Sequence, residues 1–343
     1  MRLWREVGRR TWIRFGTALV TVIVIAGLTA WLRGGPRPAS SPRLLDVPAG
    51  STGWEVAAIL KDAGVVRSRW LFLGLTTLRG SADALKAGEY RFTPAMSILD
   101  VIRRLEEGAV FVHQITIPEG YILREIADRL AEEGLVDPAR LMALATDPTV
   151  ARRYELEATT LEGFLFPDTY HLVKGMSEEE ILDTMFQRFQ EVFTTEDAVR
   201  AERLGMSRYE IVVLASIIEK EAQVDAEKPI IAGVFYNRLR RGMRLEADPT
   251  VRYGQNSAGR LTRRELARDH PYNTYRRYGL PPGPIANPGR SSLEAALNPA
   301  SVDYLYFVSK NDGTHYFSRT LDEHNRAVRQ FQGDGRPIQA RDR

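Results

Sequence analysis

Between Phe15 and Leu32 the chain reads FGTALVTVIVIAGLTAWL, 18 residues without a charge, which is long enough to cross the hydrocarbon core of a bilayer as a helix. Arg2, Arg5, Arg9, Arg10 and Arg14 all lie on its N-terminal side, against a single Glu6. Basic residues stay on the cytoplasmic side, so residues 1–14 are expected inside and the chain from about 33 onward outside. A cleaved signal peptide is the rival reading. Its apolar core runs only about 7–15 residues and wants small residues before the cut, whereas Leu28 would occupy that position ahead of Ala30. A retained single-pass helix over 15–32 is the expectation. The same cluster locates the charge. The protein carries a net +3, of which residues 1–14 contribute +4, leaving −1 for the remainder. The body of the protein therefore lacks the spread cationic face that nucleic-acid binding requires, and no nucleic-acid partner is expected. There is no cysteine, which removes disulfides, thiolate catalysis and cysteine zinc sites together.

A length of 343 residues suits about two domains. With 44% hydrophobic and 27% charged residues, the composition is that of a globular protein and excludes wholesale disorder. Residues 33–43, rich in Pro, Gly and Ser, form a flexible linker. The stretch VPAGSTGWEVAAILKDAGVV from Val47 recurs seventy positions later as IPEGYILREIADRLAEEGLV from Ile117, pairing Pro48 with Pro118, Gly50 with Gly120 and Leu60 with Leu130. Each copy has a short strand, a Pro/Gly turn and a helix with apolar residues three and four apart. This pattern resembles LysM-like carbohydrate-binding modules; the repeats serve equally well as a packed support. The expected class is α+β: a transmembrane helix, a LysM-like membrane-proximal domain over 44–155, a mixed α+β catalytic domain over 156–333, and a flexible tail over 334–343.

The chemistry concentrates in SRYEIVVLASIIEKEAQV, Ser207 to Val224. Ser207 and Glu210 form a capping box before an apolar run, which predicts a largely buried helix. Glu219 and Glu221 close it, and two positions on a helix lie about 200° apart, so the pair cannot share a face. Burial raises a carboxyl's pKa, and an acid kept protonated near neutral pH is what glycosidic-bond cleavage needs. Small neighbours such as Ala215, Ser216 and Ala222 favour Glu219; the residues alone leave Glu221 open.

LASIIEKEA from Leu214, VFYNRLRRGMRLEADPTVRYG from Val234, PYNTYRRYGLPPGPIANPG from Pro271, YFVSKNDGTHYFSRTLDEHN from Tyr306 and the earlier LEGFLFPDTYHL from Leu161 together resemble the MltG/YceG-like family of endolytic murein transglycosylases. The resemblance places the catalytic glutamate at Glu219. It implies cleavage of the β-1,4 bond between N-acetylmuramic acid and N-acetylglucosamine within nascent glycan strands, leaving 1,6-anhydro ends and ending strand elongation. It implies no cofactor. The partners it implies are peptidoglycan glycan strands, the cytoplasmic membrane and penicillin-binding proteins of the synthesis machinery. One carboxyl then suffices, because the muramic C6 hydroxyl replaces the water or second nucleophile of a hydrolase; Glu219 would donate a proton to the leaving oxygen and take the hydroxyl proton afterwards.

Asn237, Asp248, Thr250, Asn273, Tyr275 and Asn287 are further candidates for substrate contact, as amides, hydroxyls and aromatic rings suit sugars. Each also has a structural reading as a cap, brace or packed core group. The family more often has a neutral residue in place of Glu246 and Ser in place of His270. Asn311, Asp312 and Gly313 signal a hairpin, and Thr320 with Glu323 a capping box for the last helix. His315 and His324 have no ligand-like spacing, so no metal is expected. A non-catalytic peptidoglycan-binding scaffold and a hydrolytic muramidase pairing Glu219 with Asp248 or Glu221 are the alternative functions.

Overall fold

A computed structural model describes residues 41–255 and 261–333. The basic tail, the apolar run at 15–32, most of the linker and the tail at 334–343 lie outside the described residues. Among those described, no helix is long and apolar enough to cross a membrane. The architecture is mixed α+β, with strands paired two by two. It divides into two compact units, one running to His113 with Val173–Gly175 added, the other comprising Gln114–Leu172 and the chain from Met176.

In the first unit, β1 (Arg43–Val47), α1 (Gly53–Asp62), α2 (Arg69–Leu78) and β2 (Gly88–Phe92) follow one another, and α3 (Ile98–Glu107) completes the unit. The two strands pair antiparallel with Leu45 opposite Tyr90. Capping boxes open α1 at Thr52 with Glu55 and α3 at Ser97 with Asp100. Val56, Leu60, Phe72, Tyr90, Val101, Ile102 and Leu105 bury their side chains in one cluster. Each large apolar group there contributes on the order of 1.5–3 kcal/mol.

The second unit takes up β3 (Val112–Thr116) from its third residue, then α4 (Leu123–Glu132), α5 (Pro138–Ala145), α6 (Pro148–Arg153) and β4 (Thr169–Val173), with β3 and β4 paired. The second copy of the repeat therefore belongs here. The division falls at 113/114 rather than at the expected 155/156, and the core gives the reason. Leu123, Ile126, Ala127 and Leu130, the apolar stripe of α4, are buried in the same cluster as Leu161, Phe164, Ile181 and Phe189, so α4 has no core of its own to share with the first copy.

Next come α7 (Glu178–Val192), α8 (Thr195–Arg203), α9 (Arg208–Glu221), α10 (Lys228–Arg240), α11 (Asp248–Gln255), α12 (Arg263–Ala267) and α13 (Arg290–Leu297). Helix α9 opens on the Ser207/Glu210 capping box, and Ile211 to Ile218 are all buried. A helix apolar on every side must sit inside the protein; α9 packs against α13, which also packs against α10. The chain closes with β5 (Tyr306–Ser309), β6 (His315–Ser318) and α14 (Leu321–Gln332). Strands β5 and β6 form the expected antiparallel hairpin, with Asn311 and Gly313 at positive φ in its turn, and α14 opens on Thr320 and Glu323.

Candidate active site

The buried helix α9 carries Glu219 to its C-terminal end, where the helix emerges from the core. The Glu219 side chain is only 9% exposed, yet it is well supplied with partners. Its Oε2 accepts from the Gly289 N–H at 2.9 Å and from Ser292 Oγ at 2.7 Å, both at the start of α13. Among the described residues its Oε1 has one hydrogen-bond partner, Lys228 Nζ, at 3.5 Å. One oxygen is thus fixed by two donors and the other is left with a long contact, which makes Oε1 the oxygen suited to carry or receive a proton.

Lys228 opens α10 and is itself buried. Its ammonium also donates to Ser291 Oγ at 2.7 Å and pairs with Asp225 at 2.9 Å. Burial works against its charge, but Asp225, Glu219 and Glu119 outweigh that and hold its pKa above the ordinary value. Lys228 in turn lowers the pKa of Asp225 by hydrogen bond and charge. A buried ammonium with several acidic partners is fixed in position as well as in charge.

A second carboxyl, Glu119, arrives on the Pro/Gly turn before α4. It is exposed and lies against Gly289: a side-chain carbon added to Gly289 would sit 1.9 Å from Glu119 Oε1. Desolvation, then the charge of Glu219, raise its pKa, with Lys228 opposing. The next residue, Gly120, takes φ +77°, a conformation that favours glycine, and its Cα faces the Glu219 side chain. Lys220 Nζ donates to Gly120 O at 3.1 Å.

Asn287 ties this turn to the loop that carries Gly289. Its backbone N–H and its Nδ2 both donate to Tyr121 O at 2.9 Å, its carbonyl accepts from Gly120 N, and its Oδ1 accepts from Leu165 N. Its Nδ2 also reaches Glu162 Oε1 at 3.1 Å. Glu162, 4% exposed, accepts besides from Leu123 N and from Tyr253 Oη, so it supplies the N-terminal partner of α4 that Ile122 lacks. Burial pushes its carboxyl up to about 7 despite these donors.

The other expected site residues lie elsewhere in the unit. Asn237 Nδ2 donates to Val302 O and Tyr304 O, fastening α10 to the segment before β5. Asp248, Thr250, Asn273 and Tyr275 form one hydrogen-bonded cluster. Tyr275 Oη donates to Asp248 at 2.6 Å, Thr250 Oγ1 lies 2.9 Å from Thr274 Oγ1, and Asn273 accepts from Tyr275 N while donating to Leu266 O and Arg268 O. Glu221 faces this cluster. Burial first, then the Asp248 charge, pushes it up to about 8. Their separation of about 200° around the helix places Glu219 and Glu221 in different surroundings. Of the two family departures, Glu246 pairs with Arg238 at 3.3 Å and His270 accepts from Tyr272 N. His315 binds Glu227 at 2.7 Å, and among the described residues no group of three or more His, Asp or Glu could hold a metal ion.

Sequence reasoning missed Glu119, Glu162, Lys228, Ser291 and Ser292. Glu119 stands in the second repeat and Glu162 in the LEGFLFPDTYHL block, where the local pattern signals packing rather than chemistry. Nothing local marks Lys228 or the serines.

The chain as a whole has relatives. A protein of Bacillus subtilis (strain 168) named endolytic murein transglycosylase is 36% identical over 304 residues, which is 84% of this chain and 84% of that one. A protein of the same name from Streptococcus pneumoniae serotype 2 (strain D39 / NCTC 7466) is 30% identical over 331 residues, 85% of this chain and 59% of its own length. The crystal structure of a Listeria monocytogenes protein described as YceG-like superposes with a TM-score of 0.58 at 36% identity, covering 84% of this chain and 99% of that one. With residues 45–330 also matched by the model of the YceG-like family, the chain belongs to that family.

Proposed function

We propose that the protein is an endolytic peptidoglycan transglycosylase whose general acid is Glu219. The observation that carries the assignment is the asymmetric hold on that carboxyl: Oε2 fixed by Gly289 and Ser292, Oε1 turned toward a long lysine contact. Oε1 delivers its proton to the glycosidic oxygen as the C1–O bond to N-acetylglucosamine breaks. The muramic C6 hydroxyl then bonds to C1 and gives up its proton to a carboxylate of the site. Attack from within the same sugar has the effective-concentration advantage of an intramolecular step, which explains why no second nucleophile is needed. Lys228 holds the negative charge that remains on Glu219 after the transfer.

In this reading Asn287 sets the position of the Gly289 loop, and Asn237, Asp248, Thr250, Asn273 and Tyr275 brace the surrounding wall. Residues 15–32 anchor the chain in the cytoplasmic membrane with the N-terminus inside, and the catalytic unit acts on nascent strands at the outer face, where penicillin-binding proteins are the partners. The order β1–α1–α2–β2, with its strands antiparallel, supports a LysM-like role for the first unit. The test is incubation of the full-length protein and its Glu219→Gln variant with glycan strands, with products identified by mass spectrometry. Release of 1,6-anhydro ends by the first and not by the second supports the assignment; equal release removes Glu219 from the mechanism.

A further inference from the structure

The geometry points to Glu119 as a second catalytic carboxyl, the group that receives the proton of the C6 hydroxyl. This deepens the transglycosylase reading and rests on it. The two carboxyls stand on either side of one residue. Gly289 gives its N–H to Glu219 Oε2 at 2.9 Å, and the open space over its Cα is filled by the carboxyl of Glu119, whose Oε1, Cδ and Oε2 would all lie within 2.5 Å of any added side-chain carbon. Position 289 accommodates Glu119 only because it is glycine; its φ of −76° and ψ of 172° are open to any residue, so the backbone itself does not require one.

The two carboxyls differ in what already holds them. Both oxygens of Glu219 face donors of the protein, three in all. Glu119 is exposed and has no hydrogen bond to the protein among the described residues, although it stands within the field of Lys228. Its lone pairs remain for a ligand. A carboxylate free of donors is the better proton acceptor of such a pair, and desolvation, together with the charge that Glu219 gains on giving up its proton, strengthens Glu119 in that capacity.

The proton balance closes. The step runs from the microstate in which Glu219 carries a proton and Glu119 is ionised. As the C1–O4 bond breaks, O4 takes the proton of Glu219; as the O6–C1 bond forms, O6 gives its proton to Glu119. The site ends with the two protonation states exchanged, and solvent restores the start after the products leave. The sequence reading assigned both transfers to Glu219; here they are divided between two residues on opposite sides of Gly289.

The test compares full-length wild type with Glu119→Gln, Glu119→Asp and Glu219→Gln on uncrosslinked glycan strands. Turnover is measured at saturating strand, and residual products are separated into anhydro and reducing ends. Loss of a positioned base is worth about 10²–10⁴-fold. Glu119→Gln is expected to lower kcat at least a hundredfold with KM within threefold, and to raise the share of reducing ends, because water competes once the C6 hydroxyl loses its acceptor. Glu119→Asp should recover part of kcat. An exposed side chain carries little stability, so the thermal midpoint of Glu119→Gln should match wild type. A kcat within threefold of wild type, a loss confined to KM, or an unchanged product share would each overturn the proposal. The Glu219→Gln arm is read separately: full activity there refutes the acid assignment, whatever the Glu119 variants do.

Discussion

Replacing Glu162 with Gln is expected to alter how the stability of the second unit depends on pH. In the folded chain its carboxyl is pushed up to about 7 from an ordinary 4.5. Below 4.5 both folded and unfolded chains carry the proton, and the contribution to stability is fully present. Between 4.5 and 7 the unfolded chain has released a proton that the folded chain still binds. Stability therefore falls as pH rises, by at most about 1.4 kcal/mol per pH unit and by about 3 kcal/mol over the window. Above 7 the curve flattens. Glu162→Gln cannot titrate, so its stability relative to wild type should climb by about that amount between pH 4 and pH 8. All five tryptophans lie at or before position 70 and report nothing on this unit, so urea denaturation is best followed by far-UV circular dichroism. Parallel curves for the two proteins across that range would refute the assignment of a raised carboxyl at the junction of α4, Asn287 and Tyr253.

Four other outcomes follow from named contacts. Ser292→Ala removes the 2.7 Å bond to Glu219 and should lower kcat about tenfold to a hundredfold, the value of one hydrogen bond to a charged group, with the far-UV spectrum unchanged. Gly289→Ala is compatible with its backbone but drives a carbon into Glu119; activity should fall while the melting temperature holds or rises slightly, as Gly→Ala changes stabilise by about 0.4–1 kcal/mol where the backbone permits. Gly233→Ala puts a carbon 2.5 Å from Ala300 O, and the overpacking cost of about 1–3 kcal/mol should outweigh the helix-propensity gain of about 1 kcal/mol and lower the urea midpoint. Tyr275→Phe leaves Asp248 without its 2.6 Å donor and should destabilise by about 1–3 kcal/mol, with kcat within threefold of wild type if that cluster is a brace.

Much of the fold was legible from local signals. The capping boxes at Ser207 and Thr320 and the Asn-Asp-Gly turn act within a few residues, and each formed where its pattern stood. The burial of α9 followed from its unbroken apolar run. The position of α4 was not legible, because its stripe at Ile126, Ala127 and Leu130 matches Val56, Ala57 and Leu60 of α1 in the first repeat. Only the distant partners Leu161, Phe164 and Ile181 assign it to the second core. The site followed the same rule. One helix brought Glu219 and Glu221 into view as candidates, but Glu119, Lys228 and Ser292 converge on Glu219 from segments up to 173 positions apart, and no local spacing records such convergence. Asn273 and Thr250 show how a polar residue can be read two ways. Their polar groups suggested ligand contact, whereas the chain itself uses them in turns and in a buried Thr250–Thr274 bond.

The central claim is that Glu219 drives internal cleavage of glycan strands with the C6 hydroxyl as nucleophile. The most direct test is the end-group profile of long, uncrosslinked strands treated with the full-length protein. Shortened strands ending in 1,6-anhydro-muramic residues, absent with Glu219→Gln, are the predicted result. Reducing ends in their place, or the same anhydro products from the variant, would contradict it.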